Sequence, residues 1–175
     1  MKIIFVLAAA YLAGSVNFSI CLFWLLGRDD PRLRFSGNAG VTNVRRQAGL
    51  FWASVVLLLD LTRAAAVAVM AVNSLETAMV PWVGLALVTG NRFPCFHQFQ
   101  GGKGVAGYLG FTVFTAPFAA ALSCLAWVVV YAVVRIPFVA SFFMIICLAA
   151  GTAIACGYEV VATMGASAHG FIHYL

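Results

Sequence analysis

Charge is scarce in this chain: Asp, Glu, Lys and Arg make up only 9% of its 175 residues. A soluble domain carries about 25%, so a soluble globular protein is excluded. Acidic residues are scarcer still, five against ten basic, for a formal net charge of +5. The excess forms no continuous nucleic-acid face. It sits in short segments between apolar runs, which favours anionic lipid or an anionic substrate as the partner. Cysteine is also sparse. Cys21, Cys95, Cys124, Cys147 and Cys156 show no C-x-x-C spacing and lie in apolar context, so they read as reduced, buried small hydrophobes rather than disulfides or metal ligands. The histidines His97, His169 and His173 form no ligand set; the last two are i,i+4 but lack a third member. Internal repeats, heptads and low-complexity tracts are missing. So is the alternating pattern of a β-barrel strand.

What the chain has in abundance is apolar length. Hydrophobic residues make up 64% of it, in runs at about 3–26, 50–73, 78–95, 105–134, 136–158 and 160–175. One membrane helix needs about 20 residues. The 105–134 run is too long for one, and Pro117 marks a turn within it. Lys2 and the first run resemble a secretory signal, but the run continues to residue 26, long enough to span, so an uncleaved first helix is expected. The expectation is one all-α membrane domain over residues 1–175 with about seven transmembrane helices. Eight of the ten basic residues (Arg28, Arg32, Arg34, Arg45, Arg46, Arg92, Lys103 and Arg135) then share one side, which the positive-inside rule makes cytoplasmic. Glu76 and Glu159 fall on the other side. The N-terminus is expected outside and the C-terminus in the cytoplasm.

Two polar, glycine-bearing segments interrupt the apolar runs on that cytoplasmic side. One is Ser36-Gly37-Asn38-Ala39-Gly40-Val41-Thr42-Asn43, followed by Arg45 and Arg46; the other is Gln100-Gly101-Gly102-Lys103-Gly104. Glycine lets backbone N–H groups converge on an anion, hydroxyls and amides add donors, and Lys or Arg supplies charge. Either segment alone could be a flexible turn. Together, with Arg46 and Lys103 available, they favour a phosphate site. A nucleotide P-loop is not supported, because position 97 is His and Gly104 follows Lys103 where a hydroxyl is required. A small organic-phosphate transporter is the competing class, disfavoured because transporters show repeated halves and polar residues near the midplane.

Asp60 and Arg63 lie three apart in an apolar run, where an ionised group costs roughly 2.5–3.5 kcal/mol on insertion scales. Mutual pairing and substrate contact both remain open for them. Gly14, Ser15 and Asn17 fit close helix packing better than ligand binding. Trp24, Trp52, Trp82 and Trp127 read as core and interface-belt residues.

Several segments resemble the bacterial membrane glycerol-3-phosphate acyltransferases that use acyl phosphate as donor. They are Ala10-Tyr11-Leu12-Ala13-Gly14-Ser15, the Ser36–Arg46 segment, Leu59-Asp60-Leu61-Thr62-Arg63, Gly90-Asn91-Arg92-Phe93-Pro94, the Phe99–Ala106 segment and, more weakly, Val139-Ala140-Ser141. The resemblance implies a seven-helix fold in the bacterial inner membrane with its site facing the cytoplasm. It implies acyl transfer from acyl phosphate to the sn-1 hydroxyl of glycerol 3-phosphate, without metal, nucleotide or other cofactor, giving lysophosphatidic acid and phosphate. Ser36, Arg46 and Lys103 match the family's active-site positions. Gly37, Asn38, Gly40, Thr42, Asn43, Arg63, Asn91, Gly101, Gly102, Gly104 and Ser141 are the expected substrate and phosphate contacts. Ser36 is expected to donate a hydrogen bond rather than become acylated, since no His–carboxylate pair stands by to activate it.

The chain departs from the family pattern at Asn91, where His is usual, at Gln100 for a usual Lys, and at Gly107 for a usual Thr. The family's basic C-terminal extension is not visible. A truncated chain, or a diverged member with weakened activity or another phosphorylated acceptor, is the alternative expectation.

Overall fold

The computed structural model describes the backbone of residues 1–172, and their side chains except those of 138, 155, 156 and 158–172. Glu159, His169 and His173 therefore lie outside the described side chains, as does Cys156. The described backbone is all helical, with no strand. In order it forms α1 (Lys2–Ser15), α2 (Phe18–Leu25), α3 (Val41–Ala48), α4 (Leu50–Ser74), α5 (Val80–Arg92), α6 (Val105–Thr115), α7 (Pro117–Val134) and α8 (Pro137–Ile172), with short 3-10 turns at Pro31–Leu33 and Thr77–Met79.

By length and composition, α4 and α7 can cross a membrane, and α1 with α2 make a third candidate bent by 41°. The long 105–134 run does divide at proline. Thr115 ends α6, Ala116 leaves helical geometry at φ −148° and ψ 72°, and Pro117 opens α7; the ring pushes the preceding residue out of helical geometry and is itself tolerated in a first turn. Two expectations need correction. The first apolar run is broken: Val16 and Asn17 leave the helix, and Asn17 caps α2 by accepting from the Ile20 N–H at 3.2 Å. At the other end, the expected break at residue 159 is not found, because α8 continues through it to Ile172. Nothing between Pro137 and Ile172 removes a backbone donor, and its scattered glycines, Gly157 nearest the expected break, weaken a helix already under way without stopping it. The division that set 160–175 apart as a separate helix is therefore absent from the described backbone.

Small residues set the packing. On α1 and α5, a β-carbon at Gly14 would stand 2.1 Å from the Leu87 carbonyl oxygen, and one at Gly90 would stand 2.1 Å from that of Tyr11. The two backbones touch, so Gly14 fulfils the packing role expected of it. A cluster of Val6, Ala10, Ala64, Val67, Ala68, Val83, Leu87 and Phe111 fills the space between α1, α4, α5 and α6. Phe23, Val44, Ala53 and Val56 seat α2 and α3 on α4, fixing the first polar loop.

Arg63 is largely buried and finds its partners within the protein. It donates to the Asp60 carboxylate at 2.8 Å and to the Val16 carbonyl, and its guanidinium lies 5.1 Å from the Phe18 ring centre. The pairing alternative is the one the structure realises. The guanidinium also satisfies the Val16 backbone oxygen released where α1 stops.

The helix ends that carry the basic residues surround a cavity of about 600 Å³. At the opposite end, Val72, Leu75, Val80, Phe114 and Ala116 border a smaller one of about 250 Å³.

Candidate active site

The larger cavity has two unlike walls. Its polar wall comes from the loops before α3 and before α6; its apolar wall comes from Leu109, Val128, Ile136 and Met144 with Trp127 and Tyr131. The two aromatic rings stack with centres 5.0 Å apart. The expected site residues Ser36, Asn38, Gly40, Thr42, Asn43, Arg46, Asn91, Gly102, Lys103, Gly104 and Ser141 all line this one space. Gly37, Arg63 and Gly101 do not. Gly37 sits on the exposed outer side of its loop, and Arg63 is committed to Asp60 and Val16 as described. Gly101 is buried against α5, where a β-carbon would lie 2.0 Å from the Asn91 carbonyl oxygen.

The glycines work differently from the expectation. The N–H groups of Gly101 and Gly102 do not point to an anion; they donate to the carbonyls of Arg92 and Asn91 at 3.2 and 3.0 Å and so finish α5. Gly102 has no space for a side chain, since a β-carbon there would approach Asn91 Oδ1 to 2.7 Å. Gly104, at φ +75°, turns the chain into α6. Two helix starts, rather than the amides of Gly101 and Gly102, bring backbone donors to the cavity lining. Gly104, Val105 and Ala106 begin α6, Gly40, Val41 and Thr42 begin α3, and all six line the cavity. The first N–H groups of a helix have no intrahelical acceptor and carry its partial positive charge, which is what a phosphate binds. Arg45, Arg46 and Lys103 add full charges on the same wall.

Asn43 proves to be an organiser of its loop. Buried at 1% exposure, it donates to the carbonyls of Pro31 at 2.7 Å and Asn38 at 2.9 Å, with a longer approach to Arg34 at 3.3 Å. Asn17 Nδ2 ties down the Ala39 carbonyl at 3.2 Å, and Tyr11 donates to the Phe93 carbonyl at 2.8 Å. Ser141 accepts from Trp127 Nε1 at 3.2 Å, which locks the aromatic wall. Cys21, Cys95 and Cys147 are half-buried residues and Cys124 is an exposed one, all four unpaired as expected but not fully buried; Cys124 lines the cavity along with Trp127.

Sequence reasoning missed Arg32. Its guanidinium grips the Asp30 carboxylate at 2.6–3.0 Å and reaches across to the carbonyls of His97 at 2.8 Å and Gln100 at 2.7 Å. The pairing holds the Asp30 carboxyl below its usual range and the Arg32 guanidinium above its own. Burial, and then the neighbouring Arg32 charge, push His97 down. The one available clue was Asp30-Pro31-Arg32 itself, in which Asp30 caps the turn by accepting from the Arg32 N–H at 2.8 Å.

Lys103 is pushed below its ordinary value of 10.5, first by burial and then by the Arg92 charge. Its positive charge is present below that lowered pKa and lost as pH rises through it. A phosphate monoester, with its second pKa near 6, is already a dianion there, and inorganic phosphate is likewise the HPO4²⁻ dianion, so neither ligand changes charge as the lysine does. Affinity for inorganic phosphate is therefore expected to fall at a lower alkaline pH than an ordinary lysine dictates. Calorimetric titration across pH checks this, and Lys103→Arg should shift the fall upward. An identical fall in that variant would remove Lys103 from phosphate binding.

A family model described as glycerol-3-phosphate acyltransferase matches residues 4–174. A glycerol-3-phosphate acyltransferase from Pseudomonas syringae pv. syringae (strain B728a) is 44% identical over 119 residues, covering 67% of this chain and 62% of that relative. One from Myxococcus xanthus (strain DK1622) is 46% identical over 129 residues, covering 72% of this chain and 67% of the relative. The match thus spans about three fifths of the length of the first relative. The crystal structure of PlsY, an integral membrane glycerol 3-phosphate acyltransferase, in its glycerol 3-phosphate form superposes with a TM-score of 0.80 at 31% identity, covering 98% of this chain and 92% of that one. Its lysophosphatidic acid form gives 0.74 at 29% identity, covering 95% and 93%.

Proposed function

Because this chain belongs to the glycerol-3-phosphate acyltransferase family, we propose that it transfers a fatty acyl group from acyl phosphate to the sn-1 hydroxyl of glycerol 3-phosphate. The observation that carries this reading is the single cavity of about 600 Å³ with a cationic, N–H-rich wall facing an aromatic and aliphatic one. Such a space suits a molecule that is phosphate at one end and hydrocarbon at the other, which describes the acyl donor and the lysophosphatidic acid product alike.

The reacting hydroxyl oxygen attacks the acyl carbonyl, the ester C–O bond forms, and the bond from carbonyl carbon to phosphate oxygen breaks. The hydroxyl proton passes to a substrate phosphate, and inorganic phosphate leaves. Negative charge grows on the carbonyl oxygen and the departing phosphate. Fixed donors stabilise it without having to reorganise, an effect worth a factor of about 10²–10³ for one group. Arg46 holds phosphate with its fork, Lys103 acts as a point charge, and Ser36 donates a hydrogen bond. Asn38, Thr42, Asn91 and Ser141 complete the lining.

In the membrane, the basic end is placed at the cytoplasmic face of the bacterial inner membrane and the N-terminus at the other face, following the distribution of Lys and Arg. The test supplies purified protein in detergent with acyl phosphate and glycerol 3-phosphate, while phosphate and lysophosphatidic acid are followed. Stoichiometric release of both is expected. No turnover, together with import of glycerol 3-phosphate into sealed vesicles, would replace this reading with transport.

A further inference from the structure

We propose that Arg32 is a positioning residue: it sets the gap between the two phosphate-facing helix starts and thereby governs affinity for phosphate. The proposal rests on the phosphate reading above and adds to it the part that holds the two loops in register.

The guanidinium is used on both edges. Nε and Nη2 lie on the Asp30 carboxylate, and Nη1 donates to two carbonyls, those of His97 and Gln100. These carbonyls are 65 and 68 residues away in sequence, so the side chain joins two loops rather than finishing one. Its anchor is rigid, because Pro31 is buried and Asp30 is held by the backbone N–H it caps. The gripped segment is unusual as well. Gln98 and Phe99 both sit at φ +58° without being glycine, a backbone shape that persists only when surrounding contacts impose it.

The positions of the two ends give the clamp its consequence. Arg32 stands four residues before Ser36, and Gln100 stands three before Lys103. Between Gln100 and Lys103, the amides of Gly101 and Gly102 are fastened to α5. The Arg32 bond to Gln100 and these two bonds to α5 therefore together set how the chain approaches Lys103 and the start of α6, while the same guanidinium ties that approach to the segment leading to Ser36 and the start of α3. A clamp 16% exposed at its side chain keeps both in place before any anion arrives. Without it, binding has to order the loops, and affinity falls by that ordering cost. Lysine cannot substitute, having no second edge with which to hold carbonyls and carboxylate together.

The test is Arg32→Lys in full-length protein, with inorganic phosphate affinity, KM for glycerol 3-phosphate, kcat and the thermal unfolding midpoint all measured. Phosphate affinity should weaken and KM rise, each by about tenfold, with kcat at saturation within about threefold, as befits lost pre-organisation felt equally by bound substrate and transition state. Unchanged affinity and KM in a folded variant, or a fall in kcat alone, overturns the proposal. Should Arg32→Lys fail to fold, Asp30→Asn leaves the two carbonyl bonds and loosens only one edge. It should shift phosphate affinity and KM in the same direction by about threefold, and no shift would again overturn it. If the wild type proves inactive towards acyl phosphate, the acyl-transfer reading fails, yet the phosphate titration still decides the role of Arg32.

Discussion

Lys103→Ala is expected to lower kcat/KM for acyl transfer by about 10²–10³, the loss typical of removing one preorganised stabilising group from a reaction that develops oxyanion charge. The lysine stands directly before the first turn of α6, so its ammonium and the N-terminal amides of that helix face the same cavity. Removing it takes the full charge at the start of α6 and leaves there only the helix's partial one, with Arg45 and Arg46 remaining on the α3 side. Ser36→Ala, which loses a neutral donor from the same wall, should also suppress turnover severely. Size-exclusion profiles and unfolding midpoints would establish that the variants fold. Near-normal rates in folded Lys103→Ala protein would show that the reaction takes place elsewhere.

Gly90→Ala is expected to have the largest effect on stability, about 3 kcal/mol or more, beyond the usual 1–3 kcal/mol of overpacking. A methyl there would stand 2.1 Å from the Tyr11 carbonyl oxygen and 3.1 Å from the Ser15 amide nitrogen. Neither can rotate aside as a side chain would; α1 and α5 have to separate. The unfolding midpoint in detergent should drop by about 10 °C, with a matching loss of monodisperse protein. Gly14→Ala should behave alike, since it meets the Leu87 carbonyl in the same crossing. A midpoint within about 2 °C of wild type would mean that the two helices do not touch there.

Much of this architecture was legible in the sequence, where one strong local force decides the outcome. Pro117 cannot sit within a continuing helix, so the division of the 105–134 run followed from one ring. The basic loops were likewise readable, because charge excluded from apolar runs has few places to go, and the structure gathers them at one cavity. Hydropathy alone could not show the break at Val16 and Asn17, since the residues on both sides are as apolar as those of an unbroken span. That break depends on a capping amide and a distant guanidinium. Glycine content suggested amides turned to an anion, but which carbonyl each N–H of Gly101 and Gly102 meets is a tertiary fact. The helix starts that line the cavity instead are readable in sequence as residues, not as directions. Arg32 illustrates the limit most plainly, because a basic residue in a basic loop reads as solvated charge until its carbonyl partners come into view.

The bend between α1 and α2 has one more implication, for how this fold can change through descent. Straightening the bend would leave the Arg63 guanidinium without the Val16 oxygen, while losing the charged pair would abandon that oxygen in hydrocarbon. Either loss alone is penalised. Each feature therefore favours keeping the other, so across descendants the kink and the buried ions are expected to be kept or lost together.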